Sequence, residues 1–360
     1  MTKDSNQLSI LDQKNNDFKR RSKFPFKLIL LLLVIVIGGS TFYAKGFLED
    51  IDIENGSSEV KGEMDVKTSS EPDVLFSKYN LPVPVYTPVR KKGFNDLVIP
   101  TAHASVIIDV DSGTILHYED GEEERQIASL TKIMTAVLVV ENIDDLENEE
   151  VTIDEEAVYV EGTRIGCPRS GYCIGNRLKV GEVISAKELL KAMLMNSAND
   201  AALALGKHIG GTQENFAKMM TAKAKEIGLK NSSFCTASGL EITGEEYRCY
   251  SSAYDIARVA AYSMKYKEIW DTFRIPSATI YSCDNEISHD IMNTNAVLET
   301  MPECLGAKTG FTPLAGKSLM MGAIDKTKRH RIVVVLLDDP YRWVDAKEMV
   351  EWAFDSHEWK

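Results

Sequence analysis

The sequence predicts an α+β domain built on one antiparallel sheet with helices on its faces. Strand signals open the folded part of the chain, helical patterns fill its middle, and strand signals return near its end. Strands at the two ends of a domain, separated by a helical block, join most simply in a single antiparallel sheet that the helices cover.

Each element has its own signal. In Ser105–Tyr118, Val106, Ile107, Ile108 and Val110 lead into the turn residues Asp111-Ser112-Gly113, and Ile115 and Leu116 follow, which predicts a hairpin. Ser129–Val140 has a helical pattern that is apolar on nearly every side, so that helix is predicted to be buried. Ser185 and Glu188 form a capping box ahead of Leu189, Leu190, Met193 and Leu194. Further helices are predicted at about Asp200–His208 and Asn215–Ile227. Ser252 and Asp255 make a second capping pair before Ile256, Val259 and Ala260. Ser318–Ile324 and Arg331–Leu337 are the returning strands, and an amphipathic helix over Val344–Phe354 closes the chain.

Composition narrows the function. A chain of 360 residues with 44% hydrophobic and 26% charged residues is ordinary for a globular protein. The net charge is −13, and no long basic patch lies outside the N-terminus, which excludes a nucleic-acid partner. Residues 1–23 read as a polar cytoplasmic tail ending in Lys19, Arg20, Arg21 and Lys23. Residues 24–44 read as a single-pass membrane anchor, since Leu28–Ala44 carries no charge and the stretch reaches the length a bilayer core requires. The basic cluster ahead of it predicts the tail inside the cell membrane and the rest outside. A cleaved signal peptide is the competing reading, but Phe42-Tyr43-Ala44 lacks the small-x-small cleavage pattern. Residues 45–90 read as a flexible acidic linker, stiffened by Pro82, Pro84 and Pro88, and 91–360 as the folded domain.

All six cysteines lie beyond the apolar segment. An even count in an oxidising compartment predicts disulfides, most simply in sequential order: Cys167–Cys173, Cys235–Cys249 and Cys283–Cys304. There is no Cys-x-x-Cys pair and the histidines are scattered, so neither a metal nor another cofactor is predicted.

Ser129-Leu130-Thr131-Lys132 puts a hydroxyl and an amine on one helix face, one turn apart. A serine hydroxyl becomes a nucleophile when a neighbour takes its proton, and a neutral lysine can do so. That requires its pKa to fall from ~10.4 to around 7–8. Ile133, Met134 and Val137 supply desolvation, and a second nearby cation would push the same way. Alone, Ser-x-x-Lys describes a helix cap with a snorkelling lysine equally well. Two more motifs decide between these. Ser197-Ala198-Asn199 sits where one helix breaks and the next begins, and Lys308-Thr309-Gly310 opens a strand-like segment. In this order the three form the motif set of penicillin-binding proteins and class A β-lactamases, with Ala198 where that pattern has Asp.

From Ala102 to Phe354 the chain resembles the D-alanyl-D-alanine carboxypeptidase family of low-molecular-mass penicillin-binding proteins. The resemblance rests on the segments Ala128–Ala136, Leu194–Ala202, Ser238-Gly239-Leu240, Asn293-Thr294-Asn295, Gly306–Thr312 and Ala315-Gly316. It implies the penicillin-binding-protein/β-lactamase-like transpeptidase fold, with a five-stranded antiparallel sheet. It also implies a serine-type D-Ala-D-Ala carboxypeptidase that trims peptidoglycan stem peptides, with β-lactam antibiotics as acylating inhibitors. By the same resemblance Ser129 attacks the carbonyl of the penultimate D-Ala and Lys132 accepts its proton. Ser197 relays a proton to the departing D-Ala, Lys308 positions Ser197, and Asn199 holds the substrate backbone and orients Lys132. The backbone N–H groups of Ser129 and Phe311 form the oxyanion hole, Gly310 also contacts substrate, and Thr309 and Arg342 bind the terminal carboxylate.

Phe311 stands where many members of the family carry His, and only its backbone N–H is needed. Gly162–Lys179, which contains Cys167-Pro168-Arg169-Ser170-Gly171-Tyr172-Cys173, is longer than the family's usual loop. It either overhangs the site and trims substrate choice or is a surface excursion. A D,D-endopeptidase acting on cross-links uses the same machinery and is the alternative activity. A catalytically silent wall-binding protein is the alternative of another class, and a β-lactamase is disfavoured because the glutamate-bearing loop of class A enzymes has no match.

Overall fold

A computed structural model describes residues 85–168 and 172–360. The predicted tail, anchor and most of the predicted linker, and the loop residues 169–171, lie outside the described residues.

The central sheet has five antiparallel strands in the order β3-β2-β10-β9-β8, which is the predicted sheet. They are β2 (Ala104–Asp109), β3 (Ile115–Glu119), β8 (Cys304–Thr312), β9 (Gly316–Ile324) and β10 (Arg331–Leu337). β10 lies in the middle because it is apolar on both faces, as a strand covered on both sides must be. Val333, Val335 and Leu337 pack under the main helical layer, whereas Ile332, Val334 and Leu336 face the C-terminal helix. Its bounds are those the run of β-branched residues predicts.

The helical layer comprises α1 (Lys132–Asn142), α2 (Glu155–Tyr159), α3 (Ala186–Met195), α4 (Asn199–Gly210), α5 (Gln213–Glu226), α6 (Ala253–Ser263) and α7 (Lys267–Phe273). On the other face α8 (Arg342–Ser356) buries Ala346, Met349, Val350 and Ala353. α1 is buried from Lys132 to Val139, so its lack of a polar stripe reflects a helix threaded through the core. Both capping pairs form: Ser185 Oγ accepts from Glu188 N at 3.3 Å and Ser252 Oγ from Asp255 N at 3.1 Å. In the β2–β3 turn Asp109 Oδ2 accepts from Ser112 N at 2.8 Å, while Gly113 adopts φ +69°.

Three two-stranded pairs have no counterpart in the prediction. They are β4 (Glu150–Thr152) with β5 (Val183–Ser185), β6 (Ser277–Tyr281) with β7 (Ser288–Met292), and β1 (Pro88–Arg90) with β11 (His357–Trp359). The last pair moves the folded boundary back into the predicted linker. Pro88 fits there because β1 has a single neighbour, so a missing ladder N–H costs little.

Of the three predicted disulfides, Cys167–Cys173 and Cys235–Cys249 form. The third does not: Cys283 and Cys304 are free thiols. Cys283 is exposed just beyond β6, where its N–H binds Val183 O at 2.8 Å. Cys304 is buried at the head of β8, and its Sγ accepts from Asn295 Nδ2 at 3.5 Å. Proximity in sequence suggested the pair, but the hairpin and the sheet carry the two thiols on separate elements.

The Cys235–Cys249 bridge closes a segment of separation 14. Replacing both cysteines with serine is expected to cost about 3 kcal/mol through the freed unfolded chain, read as a lower denaturation midpoint at unchanged m-value.

Candidate active site

Ser129 lies in a 3-10 turn, Ala128–Thr131, that runs directly into α1. The predicted α-helix therefore begins at Lys132, and the nucleophile candidate stands on the tighter turn before it. Ala128 adopts φ +47°, a left-handed conformation that costs an alanine about 1–2 kcal/mol. The chain is held there from two sides. A Cβ on Gly239, itself at φ +82°, would sit 1.9 Å from Ala128 O, and one on Gly310 would sit 2.8 Å from Ile127 O. Only glycine at both positions lets two other segments close on the turn.

Lys132 has no solvent exposure. Its Nζ is 2.9 Å from Ser129 Oγ, 2.7 Å from Asn199 Oδ1 and 2.8 Å from Ser238 O. Asn199 Nδ2 donates to Glu161 O at 2.8 Å, which fixes the amide with its oxygen toward the lysine. Two of the three partners of Lys132 are thus obligate acceptors. A neutral amine that donates one N–H to each has its lone pair left for the Ser129 hydroxyl. Burial pushes Lys132 well below the usual lysine range, and the Lys308 charge adds to this.

Ser197 occupies the break between α3 and α4, also left-handed at φ +58°. Lys308 extends from β8, fully buried, and donates to Ser197 Oγ at 2.8 Å and to Thr309 O at 3.0 Å. Burial, together with the Arg342 guanidinium, pushes Lys308 down to about 7. Residues 129, 132, 197, 199 and 308 therefore form two linked hydroxyl–amine pairs, drawn from the 3-10 turn, α1, the α3–α4 break, α4 and β8.

These pairs face a cleft of about 450 Å³, whose walls include Ser129, Ser197, Thr309, Gly310, Phe311 and Arg342. Larger hollows exist among the described residues, of about 580, 760 and 550 Å³, and the lysines that line them are not buried. Arg342 Nη1 donates to Gly310 O at 2.9 Å and to Ser318 O at 3.1 Å, strapping the β8–β9 edge at the mouth. Thr309 Oγ1 donates to Thr294 Oγ1 at 3.2 Å, and the Phe311 ring is exposed on the rim. The nine residues singled out in the sequence thus converge.

Sequence reasoning missed the Ser238 carbonyl that Lys132 binds, Glu161 and Thr163, which hold Asn199, and Glu241, which accepts from Thr312 Oγ1. Ser238 belongs to the quoted Ser-Gly-Leu turn, so its segment was visible although its role was not. Glu161 and Thr163 act through backbone carbonyls, which no residue type announces.

A family model described as D-alanyl-D-alanine carboxypeptidase matches residues 96–340. The D-alanyl-D-alanine carboxypeptidase DacF of Bacillus subtilis is 34% identical over 262 residues, covering 71% of this chain. The matched part of this chain spans 63% of the length of that relative. Among solved structures, the D-alanyl-D-alanine carboxypeptidase of Mycobacterium tuberculosis H37Rv is similar with a TM-score of 0.65 at 26% identity, covering 74% of this chain and 96% of that one. Penicillin-binding protein D2 of Listeria monocytogenes in its ampicillin-bound form is similar with a TM-score of 0.56 at 26% identity, covering 71% and 98%.

A lysine whose pKa is depressed by folding destabilises the native state wherever the unfolded chain still holds the proton. Between about 7 and 10.5 the unfolded state binds more protons at Lys308, so stability rises with pH, by up to about 1.4 kcal/mol per unit. Lys308→Met removes this dependence. The variant is expected to be more stable than the parent at pH 7, with an advantage that shrinks toward pH 10. Denaturation midpoints across that range check it.

Proposed function

The chain belongs to the D-alanyl-D-alanine carboxypeptidase family, and from that premise we propose that it is a serine D,D-carboxypeptidase removing the terminal D-Ala of peptidoglycan stem peptides. The observation that carries this reading is the Lys132 amine, held between two acceptors with its third contact on Ser129 Oγ at 2.9 Å.

Ser129 Oγ attacks the carbonyl carbon of the penultimate D-Ala, and its proton passes to Lys132. The carbonyl oxygen becomes an oxyanion within reach of the Ser129 and Phe311 backbone N–H groups, each such donor contributing ~2.7–4 kcal/mol. The C–N bond then breaks. Ser197, held by Lys308 at 2.8 Å, gives its proton to the departing amine and takes in its place the one that Lys132 received, while the acyl group stays on Ser129 as an ester. Lys132, neutral again, takes a proton from the water that attacks that ester and passes it to Ser129 Oγ as the C–O bond breaks. Asn199 aligns the substrate backbone, and Thr309 and Arg342 take the terminal carboxylate, a role suited to a guanidinium fork at the mouth. Penicillins, with a carbonyl and carboxylate at similar separation, acylate the same serine.

The domain works outside the cell membrane, tethered by an uncleaved anchor at residues 24–44. The order of basic tail and apolar run supports this, as do two disulfides of the kind that form in oxidising compartments. An N-terminal tag is expected to remain on the mature protein in the membrane fraction, and its loss on immunoblotting would defeat the anchor. Among the described residues no helix is long and apolar enough to cross a membrane.

The full chain is expected to take up labelled penicillin and to release D-Ala from a D-Ala-D-Ala peptide, with both lost in Ser129→Ala. Lys132→Ala is expected to lower the acylation rate by about a thousandfold or more, since nucleophile and base act as a unit. Absence of both adduct and product in the unaltered protein would sink the enzyme reading. Cleavage of cross-linked dimers with no release of terminal D-Ala would favour the endopeptidase.

A further inference from the structure

The stapled loop beside the cleft is braced to β7 through a buried pair of side chains. Pro168, next to Cys167, lines the cleft, and so does Thr294, just beyond the end of β7. The loop folds back on itself beside Pro168: Ile174 N and Gly175 N donate to Gly166 O at 2.9 and 3.2 Å. A Cβ on Gly166, at φ +71°, would sit 2.3 Å from Asn176 O, so only glycine admits this fold. Asn176 then reaches β7. Its Nδ2 donates to Ser288 O at 3.0 Å, and its carbonyl accepts from His289 Nδ1 at 3.0 Å. His289 Nε2 lies 2.6 Å from Glu182 Oε1, while Glu182 Oε2 accepts from Lys179 N at 2.9 Å. Neither side chain of the pair is more than 1% exposed.

We propose that the buried Glu182–His289 pair positions the cleft for substrate: it clasps the return limb of the loop, residues 174–179, to β7 and so fixes two walls of the cleft, but only while a proton lies between Nε2 and the carboxylate. The proposal rests on the carboxypeptidase reading above.

The hydrogen-bond partners dictate that proton. A backbone carbonyl only accepts, so Nδ1 carries an N–H; an ionised carboxylate only accepts, so Nε2 carries another. If the second proton crosses to Glu182, the pair still holds it between the same two atoms. Without it, a lone pair faces a carboxylate in a dry interior, and the contact turns repulsive. A buried ion pair adds little net stability, because desolvation offsets the attraction. This one supplies direction instead. Both nitrogens and both oxygens are engaged, and the two outer partners, Asn176 O and Lys179 N, belong to the loop.

The surrounding charges favour the protonated clasp. Burial pulls the imidazole down, but the Glu182 hydrogen bond, the Asn176 carbonyl and the negative charges of Glu182 and of Asp200 on α4 outweigh it and hold His289 above its ordinary 6.5. Asp290, next on β7, is exposed and accepts from Thr279 Oγ1 at 2.7 Å, and Arg177 on the loop turns to Val158 O at 3.1 Å. A value raised by folding means that the clasp is fully formed below 6.5 and is released as pH rises through the folded value.

The test uses the full chain and a D-Ala-D-Ala peptide, with amide exchange as a second readout. In the unaltered protein KM is expected to rise at least about threefold across one ionisation above pH 6.5, and exchange in residues 174–179, corrected for base catalysis, to speed up in step. Glu182→Gln keeps an acceptor for Lys179 N and offers an N–H to the neutral imidazole, so its KM and exchange are expected to stay flat over that range. A KM or an exchange rate that ignores this ionisation in the unaltered protein overturns the proposal. So does a Glu182→Gln variant that keeps the parent's rise or does not fold. If the unaltered protein releases no D-Ala, the reading of the site fails instead, and exchange alone decides the clasp.

Discussion

The structure depends on keeping two lysine side chains out of water within one polar network. Lys132 and Lys308 have no solvent exposure, and each lowers its proton affinity by being there. An uncompensated ammonium in an apolar interior is among the most costly groups a fold can hold. What makes it tolerable is that the two need not both be charged. Each lies near enough to a second cation, Lys308 for Lys132 and Arg342 for Lys308, that losing a proton relieves repulsion as well as desolvation. The chemistry uses that relief, because a neutral amine beside a hydroxyl is a general base.

Secondary structure brings the side chains, and loops bring or fix part of their acceptors. Lys132 comes from a helix buried on all sides and Lys308 from a strand, so the two Nζ atoms sit on rigid elements. Their acceptors come from several places: Ser238 O from a connecting segment, Thr309 O from β8 itself, and the Asn199 amide from the first residue of α4, where the loop carbonyl Glu161 O fixes it. Loops with unpaired carbonyls are a natural source of such acceptors, since helix interiors have already used theirs. Strain gathers at the same places. Ala128 and Ser197 both sit at positive φ beside the reacting hydroxyls, where the surrounding contacts hold them.

Much of this was legible in the sequence, and the reason differs by element. The strand Arg331–Leu337 was readable to the residue because a run of Val and Leu buried on both faces leaves no ambiguity of period. The caps at Ser185 and Ser252 were readable because a hydroxyl three residues ahead of an acid has one local use. Seven of the nine candidate residues were readable because they lie in three short motifs that each fix a chemistry-bearing side chain, whereas Phe311 follows the third motif and Arg342 came from matching the closing helix. The short pairs β1–β11, β4–β5 and β6–β7 were not, since three to five residues carry too little periodicity and their partners lie far along the chain. Ser238, Glu161 and Thr163 were invisible as site residues because any residue can offer a carbonyl. The third disulfide failed for the same kind of reason: spacing along the chain reports loop closure, not which element carries each sulfur.

The two bridges that do form stand in the two loops that serve the lysines. Cys235–Cys249 brackets Ser238 and Glu241, which bind Lys132 and Thr312, and Cys167–Cys173 follows directly on the Glu161–Ile165 wall that holds Asn199 and Asp200. Helices and strands hold their own geometry, but a loop carbonyl aimed at an amine would drift with its loop. A short covalent closure restricts that drift most where the segment is otherwise irregular. The staples thus act where the buried cations are least protected, on the acceptors that make a desolvated amine tolerable. Losing an acceptor would leave Lys132 with an unmatched N–H in a dry interior, so the precision of those loops and the stability of the core are one requirement.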